Sequence, residues 1–143
     1  MVRRIVLLVC MLPLSMACNA TSCISDGKAD IERSDQYLNE VKIDVDKSDS
    51  SFDVSISLPL NLENLNLASL TLVRRGVDGK EDDFMMPLNV TPKNGRTFAW
   101  YMISRDLSES NVIEAVYGVS CGISIRYKLD YKNESLESVT IEQ

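Results

Sequence analysis

From residue 113 to residue 131 every second side chain is apolar or cysteine: Ile113, Ala115, Tyr117, Val119, Cys121, Ile123, Ile125, Tyr127, Leu129 and Tyr131. A period of two is the spacing of a β-strand, whose successive side chains point to opposite faces. It does not fit the helical repeat. One unbroken strand of that length would exceed the usual run of roughly 3–10 residues. Gly118 and Gly122 sit in the middle, so the pattern predicts two strands joined by a hairpin at residues 118–122.

The same signature recurs upstream. Val41, Ile43 and Val45 alternate with Lys42, Asp44 and Asp46; after a turn at residues 47–50, Phe52, Val54, Ile56 and Leu58 alternate with Asp53, Ser55 and Ser57. This predicts a hairpin with one apolar and one wetted face. Ala68, Leu70, Leu72 and Val73 supply a third strand, and residues 84–90 a weaker fourth, interrupted by Pro87. Asn94-Gly95 is the strongest turn signal in the chain, because that pair accepts the left-handed backbone of a tight hairpin. It leads into residues 96–103, where Phe98, Trp100 and Met102 face one way and Ala99, Tyr101 and Ile103 the other. Apolar side chains on both faces predict a central strand with Trp100 in the core. Val139 and Ile141 predict a short last strand. Seven to eight short strands separated by turn signals predict an all-β domain over residues 37–143. The expected form is an antiparallel β-sandwich, immunoglobulin-like in outline, or a small barrel.

Residues 1–17 read differently. Arg3 and Arg4 precede an apolar run at residues 5–14, and Ser15-Met16-Ala17 gives a small-residue exit. That is the layout of a secretory signal peptide. The apolar run falls well short of the roughly 20 residues that span a bilayer, so an export leader is expected rather than a membrane anchor. The sequence Leu14-Ser15-Met16-Ala17-Cys18 resembles the lipobox of bacterial lipoproteins, departing from it at Ser15 and Met16. The resemblance implies that Cys18 becomes the first mature residue and carries the lipid. With Asn19 and not Asp following, it also implies an outer-membrane destination in the cell envelope, on the periplasmic or surface face. Ordinary signal-peptidase cleavage after Ala17 or Ala20 would instead give a soluble secreted protein.

Residues 18–36 are polar, rich in small side chains and without apolar periodicity, which predicts a tether between anchor and domain. If Cys18 is lipidated, Cys23 and Cys121 remain as a pair suited to one disulfide outside the cytoplasm. Such a bond would close a loop of roughly 100 residues, and an intermolecular pairing or two free thiols are the alternatives.

Charge and composition narrow the chemistry. The chain carries 15 basic and 21 acidic residues, a formal charge of -6, and its longest basic run is Arg74-Arg75. Such a surface repels phosphate backbones, which argues against nucleic-acid binding. Histidine is absent, and with it Ser–His–Asp and Cys–His catalysis and His-containing zinc sites. Asp44, Asp46 and Ser48 resemble the opening of a calcium loop, but Asp49 and Ser55 stand where such a loop needs Gly and Glu, and a wetted strand face accounts for them. No catalytic residue, metal ligand or cofactor is therefore assigned. Leucines 62, 65 and 67 are either an exposed contact or packing beneath the sandwich. The expectation is an envelope binding module for a protein or cell-surface ligand, held to the membrane through Cys18. A soluble inhibitor or adhesin and a small carboxylate-dependent hydrolase are the alternatives.

Overall fold

The computed structural model describes residues 27–74, 84–109, 111–119 and 122–139. The leader, Cys18, Cys23 and Cys121 lie outside the described residues, and with them the lipid and the disulfide. In chain order the elements are α1 (Gly27–Tyr37), β1 (Lys42–Lys47), β2 (Ser51–Pro59), β3 (Asn61–Leu62), β4 (Leu65–Arg74) and β5 (Phe84–Pro87). There follow β6 (Val90–Lys93), β7 (Arg96–Ser104), β8 (Asn111–Tyr117), β9 (Ile123–Asp130) and β10 (Ser135–Ser138), with single 3₁₀ turns at Leu38–Glu40 and Arg105–Leu107. The protein is all-β apart from α1 and these turns. Its strands form two antiparallel sheets, one ordered β1-β2-β7-β6 and the other β10-β9-β8-β4-β3, with β5 also paired to β4.

Turn chemistry sets the registers. Asn94 and Gly95 both have positive φ, 51° and 73°, so β6 and β7 close with Lys93 opposite Arg96. Glu63 and Asn64 repeat the device at φ 48° and 65° and fold back β3, a strand too short to leave a periodic trace in sequence. The expected break at residues 118–122 is present, with β8 ending at Tyr117 and β9 starting at Ile123. A Cβ at Gly122 would lie 2.1 Å from the Tyr117 carbonyl oxygen, so only glycine fits there.

Ten strands are found among the described residues, against the seven to eight expected. Besides β3, the weak fourth strand is split at Leu88 and Asn89 into β5 and β6. The last described strand is β10 at Ser135–Ser138; Val139 follows it, and Ile141 of the expected last strand lies outside the described residues. The Asp130 carboxylate accepts the N–H groups of Lys132 (3.0 Å) and Asn133 (3.1 Å), which turns the chain at once and pairs Ser135 with Asp130.

Both sheets turn alternate side chains into one core. Val54, Ile56 and Leu58 of β2 and Ala99, Tyr101 and Ile103 of β7 join Leu70 and Leu72 of β4, Ile113, Ala115 and Tyr117 of β8, and Ile123, Ile125, Tyr127 and Leu129 of β9 in a single buried cluster. This is the sandwich arrangement that the alternation predicts.

The tether expectation is corrected over part of its length. Residues 27–36, read as tether, belong to helix α1, which packs along β9. Its anchoring face is polar, so no apolar period announces it: Asp30 and Ser34, one helical turn apart, are both buried. The Ser34 hydroxyl donates to the Asp30 carbonyl (2.7 Å) and accepts the Arg126 N–H (3.0 Å), and Tyr127 Oη donates to the Ser34 carbonyl (2.8 Å). The register of β10 with β9 ends at Tyr127 and the Val139 N–H donates to the Arg126 carbonyl (3.2 Å), so the Ser34 hydroxyl serves the remaining edge group, the Arg126 N–H.

Candidate functional site

Strand β7 lies between β2 and β6, a central position as its composition predicts. Its inward residues Thr97, Ala99, Tyr101 and Ile103 are buried. Its outward residues are not: Phe98, Trp100 and Met102 are 41%, 63% and 61% exposed. Trp100, expected in the core, therefore stands on the outside of the sandwich. Apolar residues on both faces correctly marked a central strand, but a central strand needs a second layer on one face only. No described residue covers the other.

Strand pairing turns this stripe into a mapped surface. Across β1, β2 and β7 the outward side chains form three rows: Asp46, Asp53 and Met102; Asp44, Ser55 and Trp100; Lys42, Ser57 and Phe98. The last row continues into Thr91 of β6. Arg96 lies flat over the lower row, donating from Nε to Ser57 Oγ (2.7 Å) and from Nη2 to the carbonyls of Ser57 (3.0 Å) and Glu40 (2.6 Å). One end of the face is thus acidic, the other basic, and the middle apolar. An aromatic and methionine stripe with a charged rim is the composition of a protein-contact hot spot.

A second concavity opens where the β1–β2 turn meets the β9–β10 turn. It is a cleft of about 890 Å³ lined by Lys47, Phe52, Arg105, Lys128, Asp130 and Tyr131, among others. Three of its charged side chains, Lys47, Arg105 and Asp130, are engaged within the chain. Lys47 pairs with Glu134 at 2.8 Å and donates to the Lys132 carbonyl at 2.9 Å. The Arg105 guanidinium lies 5.1 Å from the Phe52 ring centre, and Phe52 stacks on Tyr131 at 5.3 Å. Hydrogen bonds from the Asn133 backbone and side-chain amide, and from the Lys132 N–H, hold the Asp130 carboxyl below its usual range. That is the reverse of what a general acid needs. Burial pushes the Tyr131 hydroxyl up to about 12, and this hydroxyl shares a 3.0 Å hydrogen bond with Tyr101.

The other residues singled out by sequence fall into place. Leu62 is buried, and Leu65 and Leu67 pack partly against the core, so this segment is packing and not a contact surface. Asp44 and Asp46 are exposed on β1. Phe98, Trp100 and Met102 were placed on one face but not read as a surface, although a signal existed: the residues of β2 opposite them, Ser57, Ser55 and Asp53, are polar, which marks that face as wet. No described helix is long and apolar enough to cross a membrane. Comparison of the chain with protein-family models, curated proteins and solved structures gives no match.

Proposed function

We propose that this chain is an exported binding protein of the bacterial envelope, anchored through a lipid on Cys18, that seats a protein partner on the outward face of the β1-β2-β7-β6 sheet. The observation that carries the reading is the Phe98–Trp100–Met102 stripe, three large apolar side chains left in water on a rigid central strand. Isolated surface apolars are ordinary, but a contiguous stripe on a regular sheet is what binding surfaces present. The leader and the lipobox resemblance support the location, and the Cys23–Cys121 pair suits an oxidising compartment.

A photo-crosslinking side chain in place of Trp100 tests the reading in intact cells. It should yield one discrete protein adduct, and the same group in place of Val116, on the opposite sheet, should yield none. Absence of any adduct at Trp100 would contradict the docking reading. Cys18→Ser should move the protein from the membrane fraction to the soluble one; unchanged partitioning would contradict the anchor.

A further inference from the structure

We propose that the partner on this face is a second copy of the same chain, packed sheet to sheet about a twofold axis running across the strands through Trp100. The inference rests on the docking reading above and names its partner. The argument is charge and shape complementarity, read from the strand register. A twofold across the strands exchanges the row above Trp100 with the row below it. Met102 then meets Phe98 of the second copy, a favoured sulfur–aromatic contact, and Trp100 meets its own equivalent. Asp53 falls over Ser57 of the other copy, where Arg96 already lies across the Ser57 hydroxyl at 2.7 Å. Asp46 falls over Lys42. Each contact off the axis row occurs twice, and the axis row meets itself, as an isologous interface requires.

The alternative axis, along the strands, fares worse, because it carries the β2 and β1 acids over or beyond the short edge strand β6, which offers no basic row opposite them. A uniformly basic partner would suit the Asp46–Asp53 end but repel Lys42 and Arg96. A face with an acidic end, a basic end and an apolar centre fits its own copy turned over. Aligned sheets pack about 10 Å apart, a gap that aromatic and methionine side chains from both copies fill. One pair is unfavourable: Asp44, on the axis row, meets itself at the exposed β1 edge.

Sedimentation equilibrium of the full-length chain in a non-ionic detergent, over a range of protein concentrations, tests the proposal. The native chain should form a dimer. Asp46→Lys and Lys42→Asp should each weaken it by roughly tenfold or more, since each places like charges together twice. The double variant should regain native association. An equimolar mixture of the two single variants should form a heterodimer in preference to either homodimer. Asp44→Asn should tighten association. The three substituted positions, Lys42, Asp44 and Asp46, are exposed and none packs in the core, so folding is not at stake. A monomer throughout the range, or a double variant as weak as the single ones, would overturn the proposal. If the Trp100 crosslink captures a different protein, self-pairing fails while the docking face stands; if it captures nothing, both fail.

Discussion

The outward faces of the two sheets solve the same problem in opposite ways. On the β8–β9 side the outward polar groups are consumed within the chain. Arg126 bonds Glu114 through Nη2 at 2.7 Å and Nε at 2.8 Å and reaches Asp30 of α1 at 2.9 Å, while Ser124 donates to Glu114 at 3.0 Å. The helix is locked to the sheet by these groups and has little apolar surface to spend there. On the β2–β7 side the outward centre is apolar, and it is left open to water. The first face is finished and the second is waiting. A folded domain gains nothing from exposing Trp100 and Met102, whereas an interface does, and this asymmetry is what separates scaffold from site.

The comparison can be broken most forcefully at Arg126. Arg126→Met removes the guanidinium that bridges Glu114 and Asp30, leaving Asp30 its longer pair with Arg33 at 3.8 Å, and should cost about 3 kcal/mol in denaturant unfolding, with loss of hydrogen-exchange protection in α1. A cost below about 1 kcal/mol would mean the finished face is not held by this network. The core shared by both faces gives the next effect. Burial raises the hydroxyls of Tyr101, Tyr117, Tyr127 and Tyr131 above their ordinary value of 10.0, Tyr131 to about 12. A raised folded-state value means stability fully present below pH 10 and lost as pH climbs through 12, on the order of 2 kcal/mol for Tyr131 alone. Tyrosinate absorbance should therefore lag behind that of a free tyrosine and then rise together with unfolding.

Smaller effects sharpen the contrast. Ser34→Ala removes the acceptor for the Arg126 N–H and should cost about 1 kcal/mol, seen as faster exchange at that amide. Trp100→Ser should change stability by less than about 0.5 kcal/mol while weakening self-association in sedimentation equilibrium. A large destabilisation would place Trp100 in the structural rather than the binding category of side chains.

How far the sequence could be read follows the physics of each region. Strands β1, β2, β8 and β9 were legible because a strand with one buried face writes a period of two into the chain, and Asn94-Gly95 was legible because few pairs accept two positive φ values. Helix α1 was not, because Asp30 and Ser34 anchor it through hydrogen bonds that leave no hydrophobic period. The docking stripe was half legible. Phe98, Trp100 and Met102 were seen to share a face, but which face a second layer covers is a tertiary fact, decided when β7 pairs with the polar outward residues of β2.

Trp100 is the chain's sole tryptophan and lies at the centre of the disputed surface, so its fluorescence reports directly on whether that surface is open or covered. In dilute solution the account predicts water-like, red-shifted emission that a soluble quencher reaches. As the protein is concentrated, emission should shift to the blue and quenching should fall, and the Asp46→Lys variant should lag behind. Emission and quenching that stay constant across the whole range would contradict a face built to be covered.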